Sequence, residues 1–389
     1  MSDRFELLVV GGGPAGLAAA RSFRQAGGQG TVAIVTDEHR MPYNRPPLSK
    51  ELLRGELTEA DLPLEEERWL SEHRVQLVSG RAVALDVEVQ TVTLSGARVL
   101  PYRHCVLATG SEPKRLPIPG ADDPAVRVLR SLDNLRDLQR RLQPGISPLV
   151  IGSGFIGCEI AASLSLLGHP VTLVSDEPAP NARRLGAEAA NEIAGWLREL
   201  GVALELGVEV SSIERQGDAM QVGIATRRLA ATLVVMATGV AARSELAAAA
   251  GLELEDGAVP TDPGMRTPVS GLLAAGDVCA AENRCAGRRL RVEHWGDALG
   301  QGSIAGCTAA GQAVGWGDVP GFWSSIGPRT LKYAAWGDGY DDSRFERHPN
   351  GSFTAWYGRD GQIVGVLTHE RDPDYERGRD LIAGGERWS

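Results

Sequence analysis

The chain has 389 residues, 43% apolar and 23% charged, a balance that excludes a disordered tract and asks for more than one domain. Forty Lys and Arg against fifty Asp and Glu leave a formal charge of −10, which argues against nucleic acid as a partner. The 48 glycines follow no collagen-like period, so turns and close approaches to a ligand are their expected uses.

In chain order, Leu7-Leu8-Val9-Val10 reads as a buried strand that enters Gly11-Gly12-Gly13-Pro14-Ala15-Gly16. A helix over 17–26 and a strand over 32–36 ending at Asp37-Glu38 complete a βαβ unit. Segments near 74–78, 81–87 and 91–94 read as a small meander, closed by an apolar strand ending in Ala108-Thr109-Gly110. The same grammar then returns. Leu149-Val150-Ile151 leads into Gly152-Ser153-Gly154-Phe155-Ile156-Gly157, a helix to 167, and a strand over 171–175 followed by Asp176. A similar β pattern over 202–225 precedes a strand ending in Ala237-Thr238-Gly239, and another strand ends in Gly276-Asp277. After about residue 320 aromatic residues crowd together, and Arg359-Asp360-Gly361 reads as a hairpin turn in a small α+β tail.

In a G-x-G-x-x-G loop the first glycine permits the turn, the second admits a pyrophosphate, and the third lets helix and strand pack closely. The helix N-terminus supplies free N–H groups and partial positive charge. Two such loops, each after an apolar strand, imply two dinucleotide sites, FAD in one and a nicotinamide nucleotide in the other. Five cysteines without a C-x-x-C or a His/Cys cluster argue against a disulfide framework and a metal site. No apolar run nears the roughly 18 residues of a membrane span, and the first strand runs straight into its glycine loop. A cytoplasmic location away from membranes is expected.

Several segments together resemble the FAD-dependent pyridine nucleotide-disulfide oxidoreductase superfamily, in particular the ferredoxin reductases that serve Rieske oxygenases and P450s. They are Pro42-Tyr43-Asn44-Arg45-Pro46-Pro47-Leu48-Ser49-Lys50, Ala108-Thr109-Gly110-Ser111, Gly154-Phe155-Ile156-Gly157-Cys158-Glu159, Gly276-Asp277-Val278 and Arg291-Val292-Glu293-His294-Trp295. The resemblance implies an α/β fold of two Rossmann-like three-layer dinucleotide-binding domains, glutathione-reductase-like, plus a small α+β C-terminal domain. Its boundaries would be 1–112 and 244–320 for FAD, 113–243 for NAD(P)H, and 321–389 for the interface domain.

It further implies that Gly11, Gly13, Pro14, Ala15 and Gly16 line the FAD pyrophosphate, and that Asp37 or Glu38 meets the adenosine ribose. Arg45 and Lys50 would reach the cofactor, Val83 would lie beside the adenine, Ala108-Thr109-Gly110 beside its middle, and Arg130 near the flavin. Gly276-Asp277 would hold the ribityl chain and Glu293-His294-Trp295 the isoalloxazine. Gly152, Gly154, Phe155, Ile156, Gly157, Asp176 and Gly239 would bind the nicotinamide nucleotide. Lys50 and Glu159, as a pair near flavin N5, would be the catalytic residues. Of the forty cations only Lys50, Lys114 and Lys332 are lysines, which singles Lys50 out further.

No cysteine precedes Cys105, so the thiol relay of the disulfide-reducing relatives is excluded and reduced flavin must pass electrons outward directly. A one-electron carrier of the ferredoxin type is the expected partner. A stand-alone NAD(P)H oxidase or quinone reductase, and a redox-sensing protein of the apoptosis-inducing-factor type, remain alternatives. NADH is the expected donor because the acids Asp176 and Glu177 follow Ser175, and NADPH the alternative because Ser175 stands where NADH-type members place Glu and Arg183 and Arg184 are near. The family's "FWSDQ" is here Phe322-Trp323-Ser324-Ser325-Ile326, which leaves monomer and homodimer open. Arg284, Arg288, Arg289 and Arg291 form a basic cluster expected to dock an acidic ferredoxin.

Overall fold

A computed structural model describes residues 4–388. The chain divides into two compact units. Unit one comprises the chain up to Asn44, Leu62–Glu112 and Ala241–Phe322; unit two comprises Arg45–Asp61, Pro113–Val240 and the chain from Trp323 on. Two segments therefore group differently from the expected boundaries: 45–61 and the tail both pack with the second glycine-loop sheet.

In unit one, β1 (Phe5–Val10) runs into α1 (Pro14–Gln25) and returns as β2 (Val32–Thr36). The parallel sheet continues through β3 (Val75–Ser79) on one side and β6 (Val99–Leu107) on the other, with β4 (Ala82–Asp86) and β5 (Thr91–Leu94) between them in sequence. Strand Leu272–Ala274 pairs β6 as the fifth parallel member. Leu7, Leu8, Val9, Val32, Ala33 and Ile34 are fully buried, which accounts for the unbroken apolar runs of a sheet covered on both faces.

The expected three-segment meander is corrected by this pairing. Segment 75–79 pairs β2 in parallel, Val32 opposite Val75, and only β4 and β5 form the antiparallel meander with the start of β6. Val75 and Val78 are buried while Gln76 and Ser79 are exposed, as suits a strand at the edge of the sheet. Helix Trp295–Ala309 crosses α1 with backbones in contact. A Cβ on Gly302 would overlap the Ala15 carbonyl, and one on Gly306 the Ala19 carbonyl.

Unit two repeats the order. β7 (Pro148–Ile151), α2 (Phe155–Leu166), β8 (Thr172–Ser175), α3 (Ala182–Glu199), β9 (Ala203–Leu206) and β10 (Leu233–Met236) give the parallel sequence β9-β8-β7-β10. Its fifth place is filled from upstream, by Val126–Arg127. Here too the first expected meander segment, 203–206, is the parallel edge, and the meander proper is Val210–Gln216, Ala219–Ile224 and Arg227–Ala231.

The tail is a five-stranded antiparallel sheet with helix Asp372–Ala383. Its Asp360-Gly361 turn has φ 51° and 72°, as a two-residue hairpin with both central residues left-handed requires. Among the described residues no helix is long and apolar enough to cross a membrane.

Candidate functional site

The two glycine loops share one local logic. Gly11 has φ 127°, and a Cβ there would overlap the Ala108 carbonyl; Gly152 has φ 104° and faces the Ala237 carbonyl in the same way. This gives the Ala-Thr-Gly strand ends their purpose: each presses a carbonyl onto the first glycine of its own loop. A Cβ on Gly16 would overlap the Gly11 carbonyl, and one on Gly157 the Gly152 carbonyl. Around the middle glycines, Gly13 and Gly154, no described atom outside the adjoining backbone and chain neighbours lies within 4 Å of where a Cβ would stand. Each is the N-cap of its helix, with no side-chain cap bond among the described residues. Open space over free helix N–H groups fits a pyrophosphate in both units.

Further expected FAD residues gather on this loop in unit one. A Cβ on Gly276 would come 3.1 Å from Ala15 Cβ, so the Gly276-Asp277 turn lies against Ala15. Asp277 accepts from Ser111 Oγ at 2.6 Å, and Thr109 Oγ1 donates to the Arg243 carbonyl at 2.7 Å. At the end of β2, Asp37 pairs with Arg243 at 3.5 Å while Glu38 accepts from the Tyr43 hydroxyl at 2.6 Å. His294 lies 3.2 Å from Asp297 and tilts over Phe322 with ring centroids 4.6 Å apart; Trp295 opens the helix that crosses α1. Glu293 pairs with Arg291 at 3.3 Å. Val83 is 54% exposed, an apolar side chain left open on β4.

In unit two, Lys50 and Glu159 meet. Lys50 Nζ is 3.0 Å from Glu159 Oε2, and both residues are buried, at 5% and 2% exposure. A buried ion pair of this kind persists only when its remaining polar atoms are satisfied. Ser49 Oγ donates to the same carboxylate oxygen at 2.5 Å, and Ser324 Oγ donates to Oε1 at 2.8 Å. Sequence reasoning missed both serines. Their signal was faint: each is a small hydroxyl inside a segment already singled out for its neighbours. Ser163 Oγ donates to the Ser49 carbonyl at 2.7 Å and Arg54 reaches Ser163 at 3.2 Å, so α2 holds the Lys50 segment along its length. Arg45 donates to the Arg130 carbonyl at 2.9 Å, which brings two more expected cofactor residues together.

At the end of β8 the Ser175 hydroxyl is already engaged. It accepts from Ser153 Oγ at 2.7 Å and from the Glu177 N–H at 3.2 Å. Asp176 is half-exposed and pairs with Arg183 at 2.7 Å, and the Arg183 N–H donates to Glu177 at 2.8 Å. Gly239 has φ 89°, and its carbonyl accepts from the Lys114 N–H at 2.9 Å. Ile156, 48% exposed, and partly exposed Phe155 open α2 beside Gly154.

Two expectations change weight. In the basic cluster, Arg289 is paired with Glu255 at 2.8 Å and Arg291 with Glu293, so its local field is weaker than the sequence implied. Cys105, Cys158 and Cys279 are fully buried, and desolvation pushes all three thiols up, that of Cys279 to about 12. Such thiols are inert at neutral pH. No group of three or more potential metal ligands occurs among the described residues.

The model of the pyridine nucleotide-disulphide oxidoreductase family matches residues 5–302, and the chain belongs to that family. Within it the chain is of the FAD-dependent, ferredoxin reductase type. It is 32% identical to rhodocoxin reductase of Rhodococcus erythropolis over 97% of this chain and 89% of that protein. The solved ferredoxin reductase for the CYP199A2 system of Rhodopseudomonas palustris is similar at a TM-score of 0.93 and 31% identity, covering 98% of this chain and 95% of that one. A covalent putidaredoxin reductase–putidaredoxin complex gives 0.91 and 28%, covering 97% and 93%.

Proposed function

We propose that the chain is an NADH-dependent reductase that passes single electrons from FAD to a ferredoxin-type iron–sulfur protein serving an oxygenase or P450. The observation that carries this is the pairing of two open glycine cradles with the lack of a redox cysteine pair. No cysteine precedes Cys105, no C-x-x-C occurs, and Cys105, Cys158 and Cys279 are buried with raised pKa, which supports the flavin itself as the exit. FAD, when bound, supplies the change from hydride uptake to one-electron release.

The chain's residues do the rest. In this reading 1–112 and 244–320 form the FAD-binding domain, 113–243 the NADH-binding domain and 321–389 the interface domain. Gly13 and Gly154 leave room for the two pyrophosphates at helix N-termini. Asp277, already accepting from Ser111, takes a ribityl hydroxyl with its remaining lone pairs. Lys50 presents a fixed ammonium that favours negative charge on the reduced flavin, and Glu159, held by Ser49 and Ser324, keeps that ammonium in place. Asp176, not Ser175, accepts the ribose 2′-OH, since the Ser175 hydroxyl is engaged by Ser153; this favours NADH.

The test is NADH-driven cytochrome c reduction with and without ferredoxins of the host. Strong stimulation by one of them is expected. Stoichiometric peroxide with no stimulation would instead make the chain an oxidase.

A further inference from the structure

Helix α3 is broken near its start. Gly186 has φ 81° and ψ 171°, so residues 182–185 form a turn set apart from the helix that follows. A break of this kind takes carbonyls out of the i→i−4 ladder, and they need other donors. Here the Tyr357 hydroxyl, fully buried on strand Phe353–Arg359, donates to the Leu185 carbonyl at 2.9 Å. Tyr340 packs against Tyr357 with ring centroids 4.8 Å apart and planes tilted by 45°, and its hydroxyl lies 2.8 Å from where a Cβ on Gly186 would stand. Burial pushes the Tyr357 hydroxyl far above its ordinary value, so it stays a donor across the working pH range.

The turn these tyrosines hold is not an ordinary stretch of surface. It carries Arg183, whose guanidinium pairs with Asp176 and whose N–H donates to Glu177. Those acids follow β8, where a βαβ fold recognises the ribose of its dinucleotide. Farther along α3 the same tail sheet holds on by an Arg347–Glu192 ion pair, by Phe353 against Trp196 at 6.1 Å, and by Arg329 to Glu199 at 2.5 Å. The strands beyond Trp323 are thus fastened to the nucleotide-side helix over its whole length, and the tyrosine contacts fall on the part nearest the ribose acids.

We propose that Tyr357, backed by Tyr340, is a positioning residue for pyridine-nucleotide recognition: it fixes the 182–185 turn and through Arg183 sets where Asp176 and Glu177 stand. This rests on the reading of residues 113–243 as the NADH-binding domain. The C-terminal sheet, expected to serve as an interface, thereby also tunes the donor site.

The experiment is calorimetric titration of the purified FAD-loaded protein with NAD+, together with steady-state NADH kinetics using ferricyanide as acceptor. Tyr357→Phe keeps the ring and removes only the donor. Its Kd for NAD+ and KM for NADH should both rise about tenfold, with kcat within about twofold and FAD content unchanged. The NADH-over-NADPH preference should fall in the same variant, because the displaced acids no longer meet the 2′-OH. If Tyr357→Phe does not fold, Tyr340→Ala, at a half-exposed site, should raise the same two constants about threefold. Unchanged Kd and KM beside a lowered Tm would overturn the proposal, leaving the tyrosines a purely structural role. Asp176→Ala separates the two failures. If it raises KM while Tyr357→Phe does not, only the positioning role is lost; if neither does, the ribose is not read at this turn.

Discussion

The two glycine-loop halves share a sheet order and a loop geometry, yet they cover their helices in opposite ways. In unit one, α1 is crossed by helix Trp295–Ala309 with only glycine between the backbones. In unit two, α2 buries a carboxylate on the corresponding kind of face and surrounds it with Lys50, Ser49 and Ser324. The first arrangement is dry, close-packed and fixed. The second accepts the cost of a buried charge. One supersecondary unit can thus carry a close-packed helix pair or hold a buried ion pair, depending on what packs against its helix.

That contrast can be broken on the charged side first. Lys50→Met leaves Glu159 buried without its cation and should cost about 3–5 kcal/mol of stability. Single-turnover flavin reduction by NADH should slow as well; an unchanged rate in stopped-flow would remove Lys50 from the mechanism. Adding Glu159→Gln should restore much of the stability without restoring the rate, since a neutral amide tolerates the apolar neighbour while the ammonium stays absent.

On the dry side, Gly302→Ala pushes a methyl into the Ala15 carbonyl and should cost about 3 kcal/mol. Gly300→Ala, in open space two residues away, should be neutral or slightly stabilising in the same thermal melts. Ser324→Ala removes one of several donors to Glu159 and should cost about 1 kcal/mol.

The last effect appears only at alkaline pH and concerns the buried thiols. Cys279 ionises near its ordinary value of about 9 when unfolded and at about 12 when folded, so the folded state holds the proton more tightly. The contribution of this thiol to stability should therefore be constant below pH about 9 and be lost between about 9 and about 12. At pH 8, iodoacetamide should label exposed Cys285 and spare Cys105, Cys158 and Cys279. Rapid labelling of the buried three would show that unit packing opens on the labelling timescale.

Much of this was readable in the chain because it is local. The two loops, their strands and the Ala-Thr-Gly closures follow from contiguous residues, and the Asp360-Gly361 hairpin from two. Other features depend on what lies far off in sequence. Segment 75–79 looked like a meander strand, since alternation alone does not say whether the neighbour is β2 or β4. The role of Gly302 and Gly306 appears only when α1 is laid across them. Ser324 reads as an ordinary strand residue until Glu159, 165 positions earlier, faces it. The basic cluster looked stronger than it is because Glu255 and Glu293 were not visible as its partners. That the Ser175 hydroxyl is engaged by Ser153 was likewise not visible in the sequence.

In the proposed function electrons enter as hydride from NADH and leave one at a time from the flavin, with no thiol between. An anaerobic titration of the FAD-loaded protein with NADH, in the presence of excess oxidised ferredoxin, measures this directly. Two ferredoxins reduced for each NADH consumed, unchanged after alkylation of the accessible cysteines, is the predicted result. Ferredoxin left oxidised while NADH still reduces the flavin, or a transfer abolished by that alkylation, would contradict it.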